Sequence, residues 1–557
     1  MELFHAYNVE ILNKAFIVGE DTKSSKTAEV HILDSHGKVV DTRLYAYFEK
    51  EAIYDRIAKG EIIDINNSYL KDFSLSEYRD LHKLEHNSYV EIKEFSAINA
   101  FLDADHEVDF SYSHFLGGSL NFINTVISCN ELNFIRSKFD CEVEDFSNVK
   151  FNCNVVNFQY AKFGPGELHF KDAIFSSETI SFINCNFNDG NEYFTGVDFG
   201  DASVAFQFAK FGEGDIFFEK TRFFGKRIDF SKVEFGKGRV DFRLAEFGDG
   251  DVSFDECEIT SGKLRFRRAT FGSGRLSFEL AMLKDSEVSF ERTVFGNGEL
   301  SFYQCECRQV LFNSSHLNNY VDLRFSSCNH IDLSNTIVRD IVDFTNAKGM
   351  VNINEINFSH MRNLGRVFID WYDNDVKRLI YNQSKTSVKM KAEQFRMLKE
   401  EFRALGQYTD EDKAYLEFKR LELKDRKIRT LRENKWNALW FYPMYWSEIL
   451  IFDQIGHYAT NPLRVLVSMI ISFIAITFMY VILILTTSSD IVSSVGDPDK
   501  LPLFTKSIYH SAITFLTIGY GDYYPSGWIR WLSGIEGFVG LFLMSYFTVA
   551  FVRKVLR

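Results

Sequence analysis

Residues 240–251, with the sequence VDFRLAEFGDGD, are one unit of a twelve-residue repeat that fills much of the chain. Phenylalanine occupies every twelfth position from Phe110 to Phe302, which gives seventeen phenylalanines at one spacing. A second apolar row, mostly phenylalanine, follows five residues behind the first, and a small residue separates the two rows. Self-similarity at a fixed period indicates stacked units that bury their apolar faces against their neighbours.

The pieces V-x-F and A-x-F have the period of two that is typical of short strands, and G-x-G is expected to supply a corner, since glycine accepts positive φ. A twelve-residue coil is too small to enclose two phenylalanine side chains, whereas a 24-residue coil is not. Glycines recur every 24 residues at Gly166, Gly190, Gly214, Gly238 and Gly262. The pattern predicts a parallel β-solenoid over residues 98–358, with about nine coils.

The A-x-F unit resembles the pentapeptide-repeat proteins, which form a right-handed, four-sided β-solenoid with a central Leu or Phe inside. The resemblance implies a core that contains Phe230, Phe242, Phe254 and Phe266. Spacings here alternate between five and seven, so the corners are expected to be wider. Some relatives are acidic DNA mimics, and the net charge of −14 fits that alternative. The corner positions nevertheless mix both signs, which argues against nucleic acid as a partner: Asp215, Arg239, Asp251, Lys263, Arg275 and Glu299.

The segments on either side of the repeat have other patterns. Residues 1–97 lack the register and are predicted to be an N-terminal cap. Residues 359–435 are predicted to be a helical hairpin linker with its turn at Gly406, whose basic second helix is expected to lie near anionic lipid. Residues 436–461 are rich in aromatic residues and predict an interfacial segment before the first membrane span.

Two apolar segments near the C-terminus are long enough to cross a bilayer. The predicted spans are residues 465–487 and 529–553. Cationic residues precede the first span and follow the second, whereas the loop between the spans is acidic, so both termini are expected in the cytoplasm. The absence of a signal peptide before Met1 agrees with this orientation in a multi-pass protein of the plasma (cell inner) membrane.

Residues 517–522, with the sequence TIGYGD, lie between the two spans and follow a short predicted helix at 502–516. Residues 462–557 therefore resemble the pore of a two-helix potassium channel. The resemblance implies that four subunits replace the water around K⁺ with the backbone carbonyl oxygens and the threonine hydroxyl of a selectivity filter. The implied filter residues are Thr517, Ile518, Gly519, Tyr520 and Gly521.

Side chains around this filter are predicted to support it. Ile513 stands where some prokaryotic relatives have a Glu that pairs with the filter aspartate, so Asp522 is expected to pair with Tyr509 or His510. Glu536 lies in the second span, where a carboxylate is costly and marks function. It is interpreted as a brace for the pore helix, with a direct ion site as the alternative.

The second span is predicted to line the pore. Gly540 lies about where relatives have a bending glycine, and helical spacing from it selects Leu541, Met544, Thr548 and Val552 for the cavity and the gate. The alternative is that some of these side chains face lipid.

These patterns predict a homotetrameric potassium channel, with K⁺ in the filter and no cofactor, that is gated through its N-terminal cytoplasmic solenoid. Regulation is expected from that side because the chain ends at Arg557, just after the second span. Membrane lipids, other copies of the chain, and a cytoplasmic ligand or protein on the solenoid are the expected partners. No catalytic constellation stands out, so an enzyme is not expected. The alternative is a membrane-anchored scaffold with a vestigial pore.

Overall fold

The structure, a computed structural model, divides the chain into two units, residues 1–384 and 385–557. It describes residues 6–18, 21–345, 352–433, 438–495 and 501–556. The predictions for Lys435, Trp436 and Arg557, and for the part of the acidic loop at residues 496–500, lie outside the described residues.

Helices occur in both units, three in the first and six in the second among the described residues. They are α1 (Lys50–Lys59), α2 (Leu75–Leu81), α3 (Val376–Tyr381), α4 (Val388–Ala404), α5 (Tyr408–Glu433), α6 (Ala438–Glu448), α7 (Pro462–Thr486), α8 (Leu503–Phe515) and α9 (Ile529–Val555).

The first unit begins with an antiparallel sheet formed by the strands Ala6–Leu12, Thr27–Leu33 and Val39–Phe48. A short hairpin, Phe16–Val18 with Asp21–Ser24, accompanies it. The end of the third strand pairs in parallel with Ser68–Lys71, which starts the solenoid.

The solenoid has about 13 turns and covers residues 46–368. Parallel stacking therefore begins well before residue 98. The predicted boundary was too late because the early coils, which include α1 and α2, do not carry the phenylalanine register. Register partners are 24 residues apart over most of its length, as in Val240 opposite Leu264. The step shortens to 21 residues between Leu300 and Val321 and lengthens to 25 between Ile341 and Arg366.

The strands of the solenoid form three parallel ladders, the third of which continues the side that begins with Ile174–Phe175, because Asp198 pairs with both Ile174 and Arg222. The first contains the strands Ser68–Lys71, Phe101–Asp103, Glu107–Asp109, Val126–Asn133, Lys150–Asn157, Ile174–Phe175, Thr179–Ser181, Ser203–Ala205, Arg227–Asp229, Asp251–Ser253, Leu276–Ser277, Leu300–Ser301, Val321–Asp322, Ile341–Asp343 and Arg366–Phe368. The second contains Ile63–Asp64, Val90–Ile92, Phe95–Ser96, Ser113–Asn121, Lys138–Asp145, Lys162–Phe163, Glu167–His169, Glu192–Tyr193, Ile216–Phe217, Glu234–Phe235, Arg239–Asp241, Glu258–Ile259, Lys263–Arg265, Met282–Ser289, Glu306–Leu311, Ser327–Asp332 and Asn352–Asn357. The third contains Arg222–Phe223, Glu246–Phe247, Thr270–Phe271, Val294–Phe295, His316–Leu317, Ile337–Val338 and Arg362–Asn363.

The core of the solenoid is filled with phenylalanine rings, as the repeat predicts. Phe242 is fully buried and stacks on Phe266, one coil further, with ring centroids 5.0 Å apart and an interplanar angle of 10°. It meets Phe254, half a coil away, edge to face at 5.9 Å and 86°. Offset-stacked and edge-to-face pairs are the arrangements that aromatic rings prefer. Phe230 and Phe254 are fully buried in the same way.

The corner chemistry differs from the prediction that G-x-G supplies positive φ. The left-handed corner residues lie two positions after each first-row phenylalanine and, apart from Gly196, are not glycine, as in Lys232, Leu244 and Glu256. Glycines such as Gly238 are required for another reason: a Cβ atom there would overlap the carbonyl oxygen of Gly214 in the preceding coil. The coils thus approach each other closely at these corners, which only glycine allows.

Helix α3 follows the last coil and belongs to the first unit. Its residues Val376, Leu379 and Ile380 are buried, and the Arg378 guanidinium donates a 3.1 Å hydrogen bond to the Ile353 carbonyl of a terminal strand. The predicted linker at residues 359–435 is therefore split, because its first part closes the solenoid while α4 and α5 belong to the second unit.

The second unit contains two helices long and apolar enough to cross a membrane, α7 with 25 residues and α9 with 27. Helix α8 lies between them in sequence. A short antiparallel pair joins the segment after α7, at Ile491–Ser493, to the segment before α9, at Tyr523–Pro525. Ahead of α7, α6 continues into a π-helical turn at Ile449–Gln454. The N-cap of α7 is Asn461, whose side chain accepts a hydrogen bond from the Arg464 amide, and Pro462 occupies the first turn.

Candidate ion pathway and its helical attachment

The segment after α8 has a backbone that alternates in hand. Thr517, Gly519 and Gly521 have φ of 55°, 68° and 80°, whereas Ile518 and Tyr520 are not left-handed. A left-handed residue between right-handed ones reverses its peptide group, so alternation turns successive carbonyl groups toward one side. Two of the three left-handed positions are glycine, which adopts this conformation at little cost. The Thr517 hydroxyl donates to the Leu516 carbonyl at 2.7 Å.

The carboxylate that ends this segment is tied to α8. The Tyr509 hydroxyl donates a 2.7 Å hydrogen bond to Oδ2 of Asp522. His510, the other partner that the sequence left open, contacts Ser533 of α9 instead, with 2.9 Å between Nε2 and Oγ. The backbone after the first span adds support, because the Ser494 amide donates to the Asp522 carbonyl at 2.8 Å.

Glu536 joins three helices at the centre of the unit. It is fully buried on α9, and its two carboxylate oxygens accept hydrogen bonds from Tyr480 of α7 and Ser511 of α8. The Tyr480 hydroxyl also lies 3.0 Å from Ser533 Oγ. This geometry is that of a brace between the helices. Glu536 stands out in the sequence as a carboxylate in an apolar span, whereas Tyr480 and Ser511 carry only the weaker signal of a hydroxyl group on an apolar helix and were not predicted.

Gly540 lies where α9 crosses the end of α8. The residue is buried, and a Cβ atom would overlap the carbonyl oxygen of Phe515, the last residue of α8. Glycine is therefore required for this close approach. Bending of α9 at Gly540 stays a prediction.

The face of α9 that was assigned to the pore is open in a single subunit. Leu541 and Val552 are 55% and 44% exposed, Thr548 is exposed and Met544 is half-buried. Leu543 and Ala550, on the other side of the helix, are buried within the subunit. The assignment of the exposed face to a pore rather than to lipid stays a prediction.

Residues 467–557 match the ion channel family. This match, the two apolar helices and the β-solenoid fit a two-transmembrane channel with an N-terminal solenoid. No curated protein and no solved structure matches the chain. The C-terminal part is thus an ion-channel domain, and the protein is a membrane protein.

Helix α5 is attached to the segment that leads into the channel domain. The Arg420 guanidinium donates to both carboxylate oxygens of Asp453, at 2.8 Å and 3.0 Å. Arg426 pairs with Glu448 at 3.0 Å, and Lys427 lies over the ring of Tyr445 at 4.8 Å. That this basic helix lies near anionic lipid stays a prediction, but these three of its cations contact the protein, because the segment before α7 supplies two carboxylates and an aromatic ring.

The beginning of α5 is attached to the end of α9. Asp412 accepts from Arg553 at 3.3 Å and from Lys554 at 3.1 Å, and its side chain is only 11% exposed. A charged hydrogen bond that is shielded from water is worth more than a surface ion pair. One helix, α5, therefore contacts both the entry to α7 and the last turn of α9.

The segment just before α7 has a strained backbone conformation. His457, Tyr458 and Ala459 have φ of 47°, 55° and 62°, three successive left-handed residues that each cost about 1–2 kcal/mol. Such strain persists only where surrounding contacts determine it. Here the contacts come from α9: the Tyr546 hydroxyl accepts from the Ala459 amide at 3.0 Å, and Arg553 donates to the Tyr458 carbonyl at 3.4 Å.

Proposed function

We propose that four copies of this chain form a potassium-selective channel that carries K⁺ passively across the plasma membrane. The observation that carries the proposal is the sequence TIGYGD with its alternating backbone hand, set between α8 and α9 in an ion-channel domain. Potassium must lose its water to pass a narrow pore, and a row of carbonyl oxygens replaces that water. The carbonyl groups of Thr517, Ile518, Gly519 and Tyr520 form this row.

Four copies are required because one strand supplies only one wall of a filter. In the single subunit Tyr520 is 71% exposed and Ile518 is 47% exposed, which is the exposure expected of residues that face neighbouring copies. The open face of α9 also needs a partner surface or water. Closed rotational symmetry of identical subunits satisfies both needs at once.

The proposed orientation places both termini in the cytoplasm. Arg464 lies at the start of α7 and Arg553 and Lys554 lie at the end of α9, so the cations cluster at one end of the two spans. Positive residues remain on the cytoplasmic side. The filter then faces outward, and α4, α5 and the solenoid belong to the cytoplasmic side.

Selectivity is tested by reconstituting the full-length protein and measuring the reversal potential with K⁺ on one side and Na⁺ on the other. The proposal predicts a reversal potential near the K⁺ limit, permeation by Rb⁺ and block by Ba²⁺. A reversal potential that follows Na⁺ as well as K⁺ would refute potassium selectivity. A folded tetramer without any flux would favour a membrane-anchored scaffold with a vestigial pore.

The gate is proposed to respond to the solenoid through α5. A displacement of α5 acts on the entry to α7 through Asp453 and on the end of α9 through Asp412, so both pore helices move together. A ligand or protein on the solenoid, which precedes α4 and α5 in the chain, changes the gate only by binding the open and closed states with different affinity.

A further inference from the structure

A cavity of about 570 Å³ lies between α4, α5 and the last turn of α9, beside the ion pair of Asp412 and Arg553. Three cationic side chains line it, Lys399 and Arg403 from α4 and Arg553 from α9. Glu411 is the one carboxylate among the described residues that line the cavity, and Tyr415 forms part of the wall. The cavity therefore has an excess of positive charge.

The contacts around the cavity hold these cations in place without cancelling their charge. The ring of Tyr415 lies 4.5 Å from the Arg553 guanidinium carbon and 5.7 Å from Lys399 Nζ. A cation–π contact attracts a cation but contributes no negative charge. Lys399 also pairs at 2.9 Å with Glu400, whose side chain is 58% exposed, and such a pair is screened by water.

At the end of α9, positive charge also exceeds negative charge. Asp412 is a single carboxylate that two cations share, Arg553 and Lys554. Arg553 donates once to Asp412 and once to the Tyr458 carbonyl, which uses two of the five N–H donors of a guanidinium.

We propose that this cavity binds a phosphate-bearing anion, either the headgroup of an anionic phospholipid or a soluble polyphosphate. Guanidinium groups match the geometry of phosphate oxygens, and Arg403 and Arg553 supply two of them on different helices. The volume lies within the usual range for small-molecule sites, about 300–1,000 Å³. The end of α9 adjoins the headgroup region when the protein is in a membrane, so both sources reach the cavity.

The consequence for the channel rests on the proposed function. An anion held by Lys399 and Arg403 attracts Arg553 and competes with Asp412 for it. The ligand therefore acts at the contact that joins α5 to the pore helix, and it changes open probability if the two gate states differ in that contact.

Binding is tested on the full-length protein in phosphatidylcholine nanodiscs. The soluble arm titrates inorganic tripolyphosphate and measures heat. The lipid arm adds phosphatidic acid to the nanodiscs and identifies the lipid that the protein retains by native mass spectrometry. Binding of tripolyphosphate alone identifies a soluble ligand, and retention of phosphatidic acid identifies a lipid headgroup. If neither anion binds, the proposal is overturned.

Two variants show whether the cavity is the site. Arg403→Gln removes an exposed cation from the cavity wall, and loss of its charge-assisted hydrogen bonds should weaken binding about tenfold or more. Arg396→Gln is the matched control, because Arg396 is exposed on the same side of α4, two turns before Arg403, and is not one of the described residues that line the cavity. Equal weakening by both variants would show a diffuse electrostatic effect and would refute the site.

Binding is measured without ion flux, so the two proposals fail separately. A protein that conducts K⁺ selectively but binds neither anion refutes only the anion site. A protein that binds the anion through Arg403 but conducts no K⁺ refutes only the proposed channel selectivity.

Discussion

The contacts within the solenoid differ in kind from the contacts within the channel unit. In the solenoid each contact recurs: the stack of Phe242 on Phe266 is repeated one coil further by Phe266 on Phe290, with nearly the same distance and angle. In the channel unit each contact occurs once, such as Glu536 with Tyr480 and Ser511. Repeated contacts spread the effect of a change over neighbours, whereas a unique contact can act as a switch.

The largest effect is expected in the filter. Gly519→Ala should abolish K⁺ flux, because an L-residue at φ of 68° is strained even though no atom lies within 4 Å of the added Cβ. Gly534→Ala is the control: it lies in α9, has equally open space and does not have positive φ. Flux through reconstituted tetramers measures both variants, and normal flux in Gly519→Ala would contradict the role of the filter backbone.

The next effect is expected in the solenoid core. Phe242→Ala should lower the free energy of unfolding of its coils by about 3–5 kcal/mol, because a large buried side chain leaves a cavity. Leu244→Ala, in the same coil but 45% exposed, should have little effect. Hydrogen exchange should show the loss of protection in adjacent coils first, since the units stack in one dimension. Uniform loss across the whole chain would contradict this account.

A smaller effect, with a defined pH dependence, is expected where the repeat carries a carboxyl group in place of an aliphatic residue. Glu144 and Glu192 both pair with Leu168 in one ladder, so they occupy inward positions two coils apart. Burial raises the pKa of Glu144 from 4.5 to about 8 and raises the pKa of Glu192 well above its ordinary value. The Cys141 amide donates to Oε1 of Glu144 at 3.3 Å. The other carboxylate oxygen of Glu144, Oε2, is buried with no hydrogen-bond partner in the described part of the chain.

The folded state therefore keeps a proton on Glu144 that the unfolded state loses near pH 4.5, so stability falls as the pH rises from about 4.5 to about 8. Glu144→Gln should remove this fall and stabilise these coils above pH 8 by up to about 5 kcal/mol, because each pH unit between the two pKa values is worth about 1.4 kcal/mol. Below pH 4.5 the variant and the parent should match. Glu142→Gln, which is exposed on the same strand, should leave the pH profile unchanged. Unfolding followed across this pH range checks both variants.

The smallest effect is expected at the attachment of α5 to α9. Asp412→Asn weakens the pairs with Arg553 and Lys554 and should change the equilibrium between open and closed states by up to about fivefold, since one such partly buried pair is worth about 1 kcal/mol. Asp410→Asn, on the same helix, removes only a local pair with Lys413 among the ion pairs seen in the structure. Single-channel recordings compare the two, and equal open probabilities would remove Asp412 from the gating path.

The parts of the fold that the sequence predicted are those with repetition or a family motif. Phe242 and its equivalents revealed the core, and the TIGYGD sequence and its two apolar spans revealed the ion-channel domain. The early coils from residue 46 were missed because they lack the register, and the role of glycines such as Gly238 was misassigned because close approach between coils is not visible in one unit.

The contacts between distant segments could not be predicted in the same way. The pairing of Asp412 with Arg553 joins residues that are far apart in sequence and follow no period. Tyr480 and Ser511 were missed for the same reason, since the carboxylate of Glu536 alone does not show which helices face it.

The most direct test of coupling between solenoid and pore is a single-channel recording in K⁺ and Na⁺ gradients. The protein would carry a flexible insert between Ser384 and Lys385, where the two units meet in sequence. The account predicts a changed open probability with a reversal potential that stays at the K⁺ limit. An unchanged open probability would show that the solenoid does not control the gate, and a shifted reversal potential would show that filter and attachment are not separate parts.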